Sequence, residues 1–253
     1  MVKVVSVHSF RGGTGKSNTT ANLAITVAQQ GYRVGIVDTD IQSPGIHVLF
    51  GFEESRMKLS LNDYLWGRCS VEEAAYDVGS ILKGQGTRQS AIYLIPSSLK
   101  AGEIARVLRE GYDVGLLNDG FQELIKRLNL DFLFIDTHPG LNEETLLSIT
   151  ISDILLLIMR PDRQDFQGTA VTVDIARRLE VPKMLLMVNK ALSSFDFAAL
   201  KADVQKTYGA PVAAILPLTE EMIQLGSAGI FCLHYPNHPL TRIYADIANL
   251  LVD

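Results

Sequence analysis

Short apolar runs alternate along the chain with longer segments in which apolar residues recur every three to four positions. The short runs predict strands and the longer segments predict helices. This alternation is typical of a parallel sheet with helices on both faces, because each parallel strand pair needs a crossover connection. The pattern therefore predicts an α/β fold built on an open, twisted, mostly parallel sheet.

The predicted elements cover most of the chain. We expect strands at residues 2–8, 33–38, 91–95, 131–136, 153–159, 183–189 and 212–216. We expect helices at residues 16–30, 60–66, 71–76, 101–109, 120–128, 167–179, 197–208 and 240–251. No repeat and no linker rich in Pro, Gly or Ser interrupts the pattern. Residues 1–253 are therefore predicted to form a single domain.

The composition is that of a globular protein. Of the 253 residues, 47% are hydrophobic and 20% are charged, which excludes a disordered chain. The apolar start at residues 1–7 is too short for a signal peptide, and the apolar run at 154–159 is far below the roughly 20 residues of a membrane helix. Cys69 and Cys232 form no CxxC pair and are expected to be free thiols. We therefore expect a cytoplasmic protein.

The charge balance is mildly acidic, with 23 Lys and Arg against 28 Asp and Glu, a net charge of −5. A dedicated nucleic-acid-binding protein is usually basic, so DNA binding would need a local basic surface. Residues 81–109 carry five basic residues and one acid, and residues 160–206 carry eight and six. Each stretch is either a solvated face or a surface for a partner or DNA.

A glycine-rich segment follows the first predicted strand and precedes the first predicted helix. Its residues are Arg11, Gly12, Gly13, Thr14, Gly15, Lys16, Ser17 and Asn18. Such glycines let backbone N–H groups face phosphate oxygens, beside the positive end of the helix. Lys16 can bridge two phosphates, the Ser17 hydroxyl can ligate Mg²⁺, and Asn18 can reach the α-phosphate. We expect the Lys16 side chain to be solvated without a ligand. The strict motif requires Gly at position 10, where this chain has Phe10.

Carboxylates stand at the ends of two predicted strands. Because the carboxyl ends of parallel strands line a ligand crevice, Asp136, Asp38 and Asp40 are expected beside the glycine-rich segment. Asp136 would hold Mg²⁺ directly or through water; the alternative is that it caps the turn before Pro139. Asp38 and Asp40 alternate onto one face, and the alternative is that one of them is a loop carboxylate.

The segment RGGTGKS resembles the deviant Walker A motif, KGGxGK[ST], of the ParA/MinD family of dimerising P-loop ATPases. Later segments fall in the family's order: VDTD at 37–40, FIDTHPG at 134–140 and MVNK at 187–190. The resemblance spans nearly the whole chain and implies ATP and Mg²⁺ as cofactors and a homodimer formed with ATP. It also implies that Ser17, Asp38 and Asp136 serve the metal and that Asp40 orients the attacking water.

The family's signature lysine falls at position 11, where this chain has Arg11. Arginine keeps the charge and adds a planar fork suited to phosphate oxygens. By resemblance, Arg11 reaches the partner protomer's nucleotide and joins Lys16 and Asp40 as a catalytic residue. The alternative is a surface residue tolerated because activity is weak or lost. In the same motif set, His138 could touch the attacking water, but we expect it to face solvent.

The base is expected to be adenine. Relatives that bind GTP read guanine with Asn-Lys-x-Asp, and this chain has Leu192 in place of the aspartate. By resemblance, Asn189 contacts the adenine ring and Pro217 and Leu218 form a second base-contacting loop. The alternative for Asn189 is a turn residue at the end of a strand.

These features predict an ATP-dependent dimerising ATPase that positions or partitions a cytoplasmic cargo with a cargo adaptor or activating protein. Non-specific DNA binding through a local basic surface is a further expectation. Membrane binding is not expected, because the final predicted helix carries only Arg242 as a basic residue. Iron–sulfur relatives are set aside, since Cys69 and Cys232 lie outside the nucleotide motifs. The alternative function is a nucleotide-binding scaffold with little or no hydrolysis, because Arg11 replaces the signature lysine.

Overall fold

The computed structural model describes residues 2–253. Within them, eight strands form one sheet in the order β3-β4-β2-β5-β1-β6-β7-β8. The strands are β1 (Lys3–His8), β2 (Arg33–Asp38), β3 (Tyr76–Asp77), β4 (Ala91–Ile95), β5 (Phe132–Asp136), β6 (Ile154–Met159), β7 (Lys183–Ala191) and β8 (Val212–Pro217). Only β3 is antiparallel to its neighbour among these strands. The predicted α/β fold with an open, mostly parallel sheet is confirmed.

Helices follow most of the strands and cover both faces of the sheet. The helices are α1 (Lys16–Gln29), α2 (Ile46–Leu49), α3 (Leu61–Leu65), α4 (Ala101–Glu110), α5 (Gly115–Arg127), α6 (Glu143–Thr150), α7 (Arg163–Arg178), α8 (Phe197–Tyr208), α9 (Glu220–Leu225), α10 (Phe231–His234) and α11 (Pro239–Val252). Single 3₁₀ turns lie at Glu54–Arg56 and Gly79–Leu82. No helix within residues 2–253 combines the length and the apolar character needed to cross a bilayer.

Most predicted elements lie where the sequence pattern put them, but the helix predicted at residues 71–76 is wrong. Its end, Tyr76, belongs to β3 and pairs with Leu94 of β4. The Tyr76 hydroxyl accepts hydrogen bonds from the backbone N–H groups of Lys58 and Leu59, both at 2.9 Å. These long-range bonds outweigh the local helix propensity of the segment.

Alternating side chains of the central strand supply the two sides of the core. Val5 and Val7 of β1 pack with α1 and α11 on one face, and Val4 packs on the other face in a cluster with α5. All of these residues are almost fully buried. The sheet is therefore rigid where β1 ends, which is where the glycine-rich segment begins.

The final helix closes one face of the sheet. Tyr244, Ile247 and Leu251 of α11 are buried against the core. Lys3 Nζ donates to the carbonyl oxygens of Leu251 at 3.0 Å and of Val252 at 2.6 Å, a favourable arrangement because the last carbonyls of a helix carry partial negative charge. The apolar face of α11 thus packs inside the fold.

Candidate functional site

The loop between β1 and α1 has the backbone form that phosphate binding needs. Gly13 and Gly15 have φ of +77° and +98°, in the left-handed region that other residues rarely adopt. A Cβ at Gly15 would lie 2.5 Å from Asn189 Nδ2. No side chain caps the start of α1, so its first N–H groups are available to an anion.

The sequence led us to expect a solvated Lys16, but this side chain is buried. Only 7% of the surface of the residue is exposed. Burial lowers the pKa of its ammonium group, and the nearby carboxylates of Asp136, Asp40 and Asp38 oppose that shift. The negative charge of these carboxylates favours the ammonium form of Lys16 and opposes the cost of burying it. The charged end of Lys16 therefore lies close to the three carboxylates beside the loop.

Asp136 and Asp38 end neighbouring strands and lie opposite each other in the β5–β2 register. Asp136 Oδ1 accepts a hydrogen bond from Thr20 Oγ1 at 3.3 Å. Burial raises the pKa of Asp136 to about 6, and a hydrogen bond from Ser17 and the charge of Lys16 oppose the rise. Burial also raises the pKa of Asp38 well above its usual range, with a further contribution from the charge of Asp136.

These oxygen groups fit Mg²⁺. Two buried carboxylates face a single ammonium group, and carboxylate and hydroxyl oxygens are the ligands that this cation prefers. Asp38 is already bonded at both oxygens, to the N–H groups of Asp40 at 3.1 Å and Gly45 at 3.2 Å. Ser17 and Asp136 are the groups that would hold the ion, and Asp38 lies opposite Asp136 at the end of the neighbouring strand, where it would support the metal site.

His138 contacts Asp40, so the expectation that it faces solvent is wrong. Its Nδ1 lies 2.6 Å from Asp40 Oδ1, and 22% of its side chain is exposed. Asp40 Oδ1 also accepts from the Ser43 N–H at 3.1 Å. The segment at residues 134–140, which contains His138, therefore contacts the carboxylate expected to orient the attacking water.

Arg11 is bound to α7 of its own chain. Its Nη1 lies 3.1 Å from Asp165 Oδ1 and 3.5 Å from Asp162 Oδ1, with 37% of the side chain exposed. Asp165 is buried and also accepts from the Arg160 N–H at 2.8 Å and from Arg160 Nε at 3.2 Å. Contact of Arg11 with a partner's nucleotide stays a prediction, and it would require Arg11 to leave this ion pair.

Phe10 also attaches the loop to α7. A Cβ built at Gly168 of α7 would lie 2.0 Å from Phe10 Cδ1, so the aromatic ring lies against the helix backbone. The side chain that departs from the strict glycine motif thus fills the space over a glycine. Two consecutive residues, Phe10 and Arg11, join the phosphate loop to one helix.

Gly168→Ala is expected to lower the free energy of unfolding by about 1–3 kcal/mol, because the new methyl group must displace the Phe10 ring. Helix propensity alone would favour alanine by about 1 kcal/mol, so the sign of the change is diagnostic. Urea denaturation measures it. The matched control is Gly102→Ala in α4, where a Cβ would meet nothing within 4 Å. A gain in stability at Gly168 equal to that of the control would contradict the contact.

A cavity of about 300 Å³ lies beside the loop and contains the three predicted base-contacting residues. Asn189, Pro217 and Leu218 line it together with Gly15 and Asn18. Asn189 is partly engaged already, since its Nδ2 donates to the Thr14 carbonyl oxygen at 2.8 Å. The cavity has the size of a ligand pocket and lies next to the expected phosphate site.

Part of this cavity wall was not predicted from the sequence. Met222 and Ile223 of α9 and Tyr244 of α11 also line it. Thr219 caps α9 by accepting from the Met222 N–H at 3.3 Å, and two glutamates follow in the first turn. A capping residue followed by acidic residues was the available signal for this helix.

The sheet order and the loop at the end of β1 define a P-loop NTPase fold. A family model described as ParA, NUBPL iron-transfer P-loop NTPase, matches residues 1–252. The chain belongs to this ParA/MinD-type family of P-loop NTPases.

Similar proteins carry several names. An uncharacterized ATP-binding protein of Methanocaldococcus jannaschii is 24% identical over 255 residues, covering 100% of this chain and 88% of the relative. An iron-sulfur cluster carrier protein of Pyrococcus abyssi is 24% identical, covering 98% of this chain and 85% of the relative. The septum site-determining protein MinD of Pyrococcus horikoshii, complexed with Mg-ADP, superposes with a TM-score of 0.80 at 21% identity, covering 99% of this chain and 96% of that one. At this identity the structural match shows a shared fold.

Proposed function

We propose that this protein is an ATP-dependent dimerising ATPase that positions or partitions a cytoplasmic cargo through a cycle of dimer formation and release. The observation that carries the proposal is the convergence of buried Lys16 with Asp136, Asp38 and Asp40 at the phosphate loop. A cation for phosphate, oxygens for Mg²⁺ and a carboxylate for water are the groups that phosphoryl transfer to water requires. The Mg-ADP complex of the Pyrococcus horikoshii relative supports the choice of nucleotide and metal.

Each group has a task in this proposal. The N–H groups of the loop and Lys16 bind phosphate oxygens, and Asn189, Pro217 and Leu218 contact the adenine. Mg²⁺ would neutralise charge on the β- and γ-phosphates. Asp40 accepts a hydrogen bond from the attacking water and orients it, which requires that its contact with His138 loosen or share the carboxylate.

In the proposed dimer, Arg11 of each protomer contacts the nucleotide bound to the other protomer. The guanidinium group is partly exposed and lies one residue before the glycines that surround the phosphates. An arginine supplied from a second protein accelerates phosphoryl transfer by about 10³–10⁵-fold in other NTPases. For ATP to favour the dimer, the partner's phosphates must attract Arg11 more strongly than the buried Asp165 at 3.1 Å and the exposed Asp162 at 3.5 Å do together.

A nucleotide-binding scaffold without hydrolysis is the second candidate. It is favoured by one observation, the ion pair of Arg11 with Asp165 in its own chain at 3.1 Å. If that ion pair persists with ATP bound, Arg11 does not reach the nucleotide of the partner protomer, and hydrolysis is not accelerated. Steady-state phosphate release separates the two functions: turnover above the uncatalysed rate supports the ATPase, and its absence with any DNA or partner supports the scaffold.

Asp40→Ala is expected to keep ATP affinity near the wild-type value and to accumulate as an ATP-bound dimer. The contacts to the γ-phosphate come from the loop and Mg²⁺, whereas the lost carboxylate orients water, so turnover should fall by about 10²–10⁴-fold. Light scattering with Mg-ATP measures the dimer, and phosphate release measures turnover.

The control for that experiment is Asp203→Ala, an exposed carboxylate of α8, which should match the wild type in both measurements. A monomeric Asp40→Ala protein in Mg-ATP would contradict the role of this residue.

Part of the positive charge expected to bind DNA is neutralised by ion pairs within the chain. Arg160 and Arg178, in one of the two basic stretches, form ion pairs with neighbouring aspartates, which lowers the charge available to DNA phosphates.

The two cysteines lie in different parts of the core. Cys69 packs in the cluster around α5, whereas Cys232 is buried in the cluster around α1 and α11. The two thiols thus lie on opposite faces of the sheet, so we do not propose iron–sulfur binding within one protomer.

A further inference from the structure

Two consecutive residues at the end of β7 hold two consecutive carbonyl groups of the phosphate loop. Asn189 Nδ2 donates to the Thr14 carbonyl oxygen, and Lys190 Nζ donates to the Gly13 carbonyl oxygen, both at 2.8 Å. The Asn189 side-chain oxygen in turn accepts from the Lys190 N–H at 2.8 Å. The pair therefore forms a clamp that is separated from the loop by about 175 positions in sequence and lies directly against it in space.

The backbone at Lys190 is in an unusual conformation that serves this contact. Its φ is +59°, in the left-handed region that side chains with a Cβ rarely adopt. The register between β7 and β8 also shifts between Val188 and Ala191, as in a β-bulge, which re-aims a side chain. Such local strain persists where the surrounding structure requires it and is concentrated at functional sites.

The clamp determines where the loop's N–H groups point. In a trans peptide unit the C=O and the following N–H point in opposite directions, and the described chain has no cis peptide bond. The carbonyls of Gly13 and Thr14 are drawn toward the end of β7. The N–H groups of Thr14 and Gly15 therefore point to the opposite side of the loop.

We propose that Lys190 and Asn189 are positioning residues for phosphate recognition, which orient the Thr14 and Gly15 N–H groups toward the phosphate oxygens of a nucleotide. They act through the loop carbonyls and do not need to touch the phosphates themselves. Oriented donors bind an anion more tightly because they lose less entropy on binding. This inference rests on the proposed nucleotide binding. The role it gives to Lys190 does not depend on which base is bound, so it is compatible with Leu192 in place of an aspartate that reads guanine.

The test compares ligands that contain only one part of the nucleotide. Lys190→Met removes the ammonium group and keeps the length of the side chain, and Lys190→Arg keeps the charge. Binding of ADP, tripolyphosphate and adenosine is measured by calorimetry or by competition with a fluorescent nucleotide. For Lys190→Met we expect ADP and tripolyphosphate affinity to fall by about tenfold, the loss of roughly one charge-assisted hydrogen bond, with adenosine affinity unchanged. Lys190→Arg should stay within about threefold of wild type.

Two controls exclude a purely structural effect. Lys206→Met removes an exposed lysine of α8 and should bind all three ligands as the wild type does. Lys190→Gly accepts the left-handed backbone without strain, so it should be stable and still lose phosphate affinity. Melting temperatures near the wild-type value for the Lys190 variants are part of the expected result.

Other outcomes overturn the inference. Wild-type affinity of Lys190→Met for tripolyphosphate would show that the clamp does not orient the donors. An equal loss for adenosine and tripolyphosphate would assign Lys190 to the base or to the fold, since its side chain also lines the base cavity. A failure of the nucleotide binding on which this inference rests is distinguishable, because then the wild-type protein itself would bind neither ADP nor tripolyphosphate.

Discussion

Lys16→Gln is expected to lose ATP binding, with the affinity for Mg-ATP falling by about 10²–10⁴-fold. The ammonium group makes charge-assisted hydrogen bonds to phosphate oxygens, each worth about 1.5–3 kcal/mol, and glutamine offers only a neutral donor. Calorimetric titration with Mg-ATP measures the loss. Glutamine suits this buried position near Asp136, Asp40 and Asp38, because its amide is neutral and can donate a hydrogen bond to a carboxyl group.

The control for Lys16 is Lys126→Gln, an exposed lysine of α5, which should bind Mg-ATP as the wild type does. Circular dichroism checks that both variants keep the α/β fold. An unchanged ATP affinity of Lys16→Gln would contradict the proposal that this loop binds the phosphates of ATP.

Arg11→Ala is expected to bind ATP with near-normal affinity and to fail to dimerise or hydrolyse it. In a symmetric dimer each Arg11 contacts the partner's phosphates, so the variant loses two charge-assisted contacts of about 1.5–3 kcal/mol each. The fold should tolerate the change, because Asp165 keeps its hydrogen bonds from the N–H and Nε of Arg160. Sedimentation with a slowly hydrolysed ATP analogue measures the dimer.

The matched variant is Arg11→Lys, which restores the family's own residue and should recover both dimerisation and hydrolysis. Dimers of Arg11→Ala at the wild-type concentration dependence would mean that Arg11 does not act between protomers. The scaffold function would then be the better explanation of its ion pair with α7.

The fold class and the phosphate loop were predictable because their signals are local. The central strands are short and largely apolar runs, such as residues 154–159, and burial of such runs requires a sheet covered on both sides. The glycines of the loop, Lys16 and Ser17 are adjacent in sequence, so their spacing alone indicated the chemistry. The helix α6 had a local capping signal as well, because Asn142, just before its first residue, accepts from the Thr145 N–H at 2.8 Å; this helix was nevertheless not predicted.

The interactions of these residues depend on long-range contacts that no local pattern contains. Arg11 and Asp165 are 154 positions apart, His138 and Asp40 are 98 apart, and Asn189 and Thr14 are 175 apart. Their contacts follow from the strand order, which brings β5 and β6 to either side of β1 and sets β7 next to β6. The burial of Lys16 has the same origin, since strand ends that are distant in sequence surround it with carboxylates.

The amino-acid sequence alone thus specified the class of fold, the residues expected to bind phosphate and metal, and the absence of an aspartate that reads guanine at position 192. The folded chain decided which charges pair with each other: Arg11 with α7, His138 with Asp40, and Lys190 with the phosphate loop. The physical reason is that backbone propensity and apolar periodicity act over a few residues, whereas ion pairs and hydrogen bonds depend on distances of about 3 Å between atoms that only the packed sheet brings together.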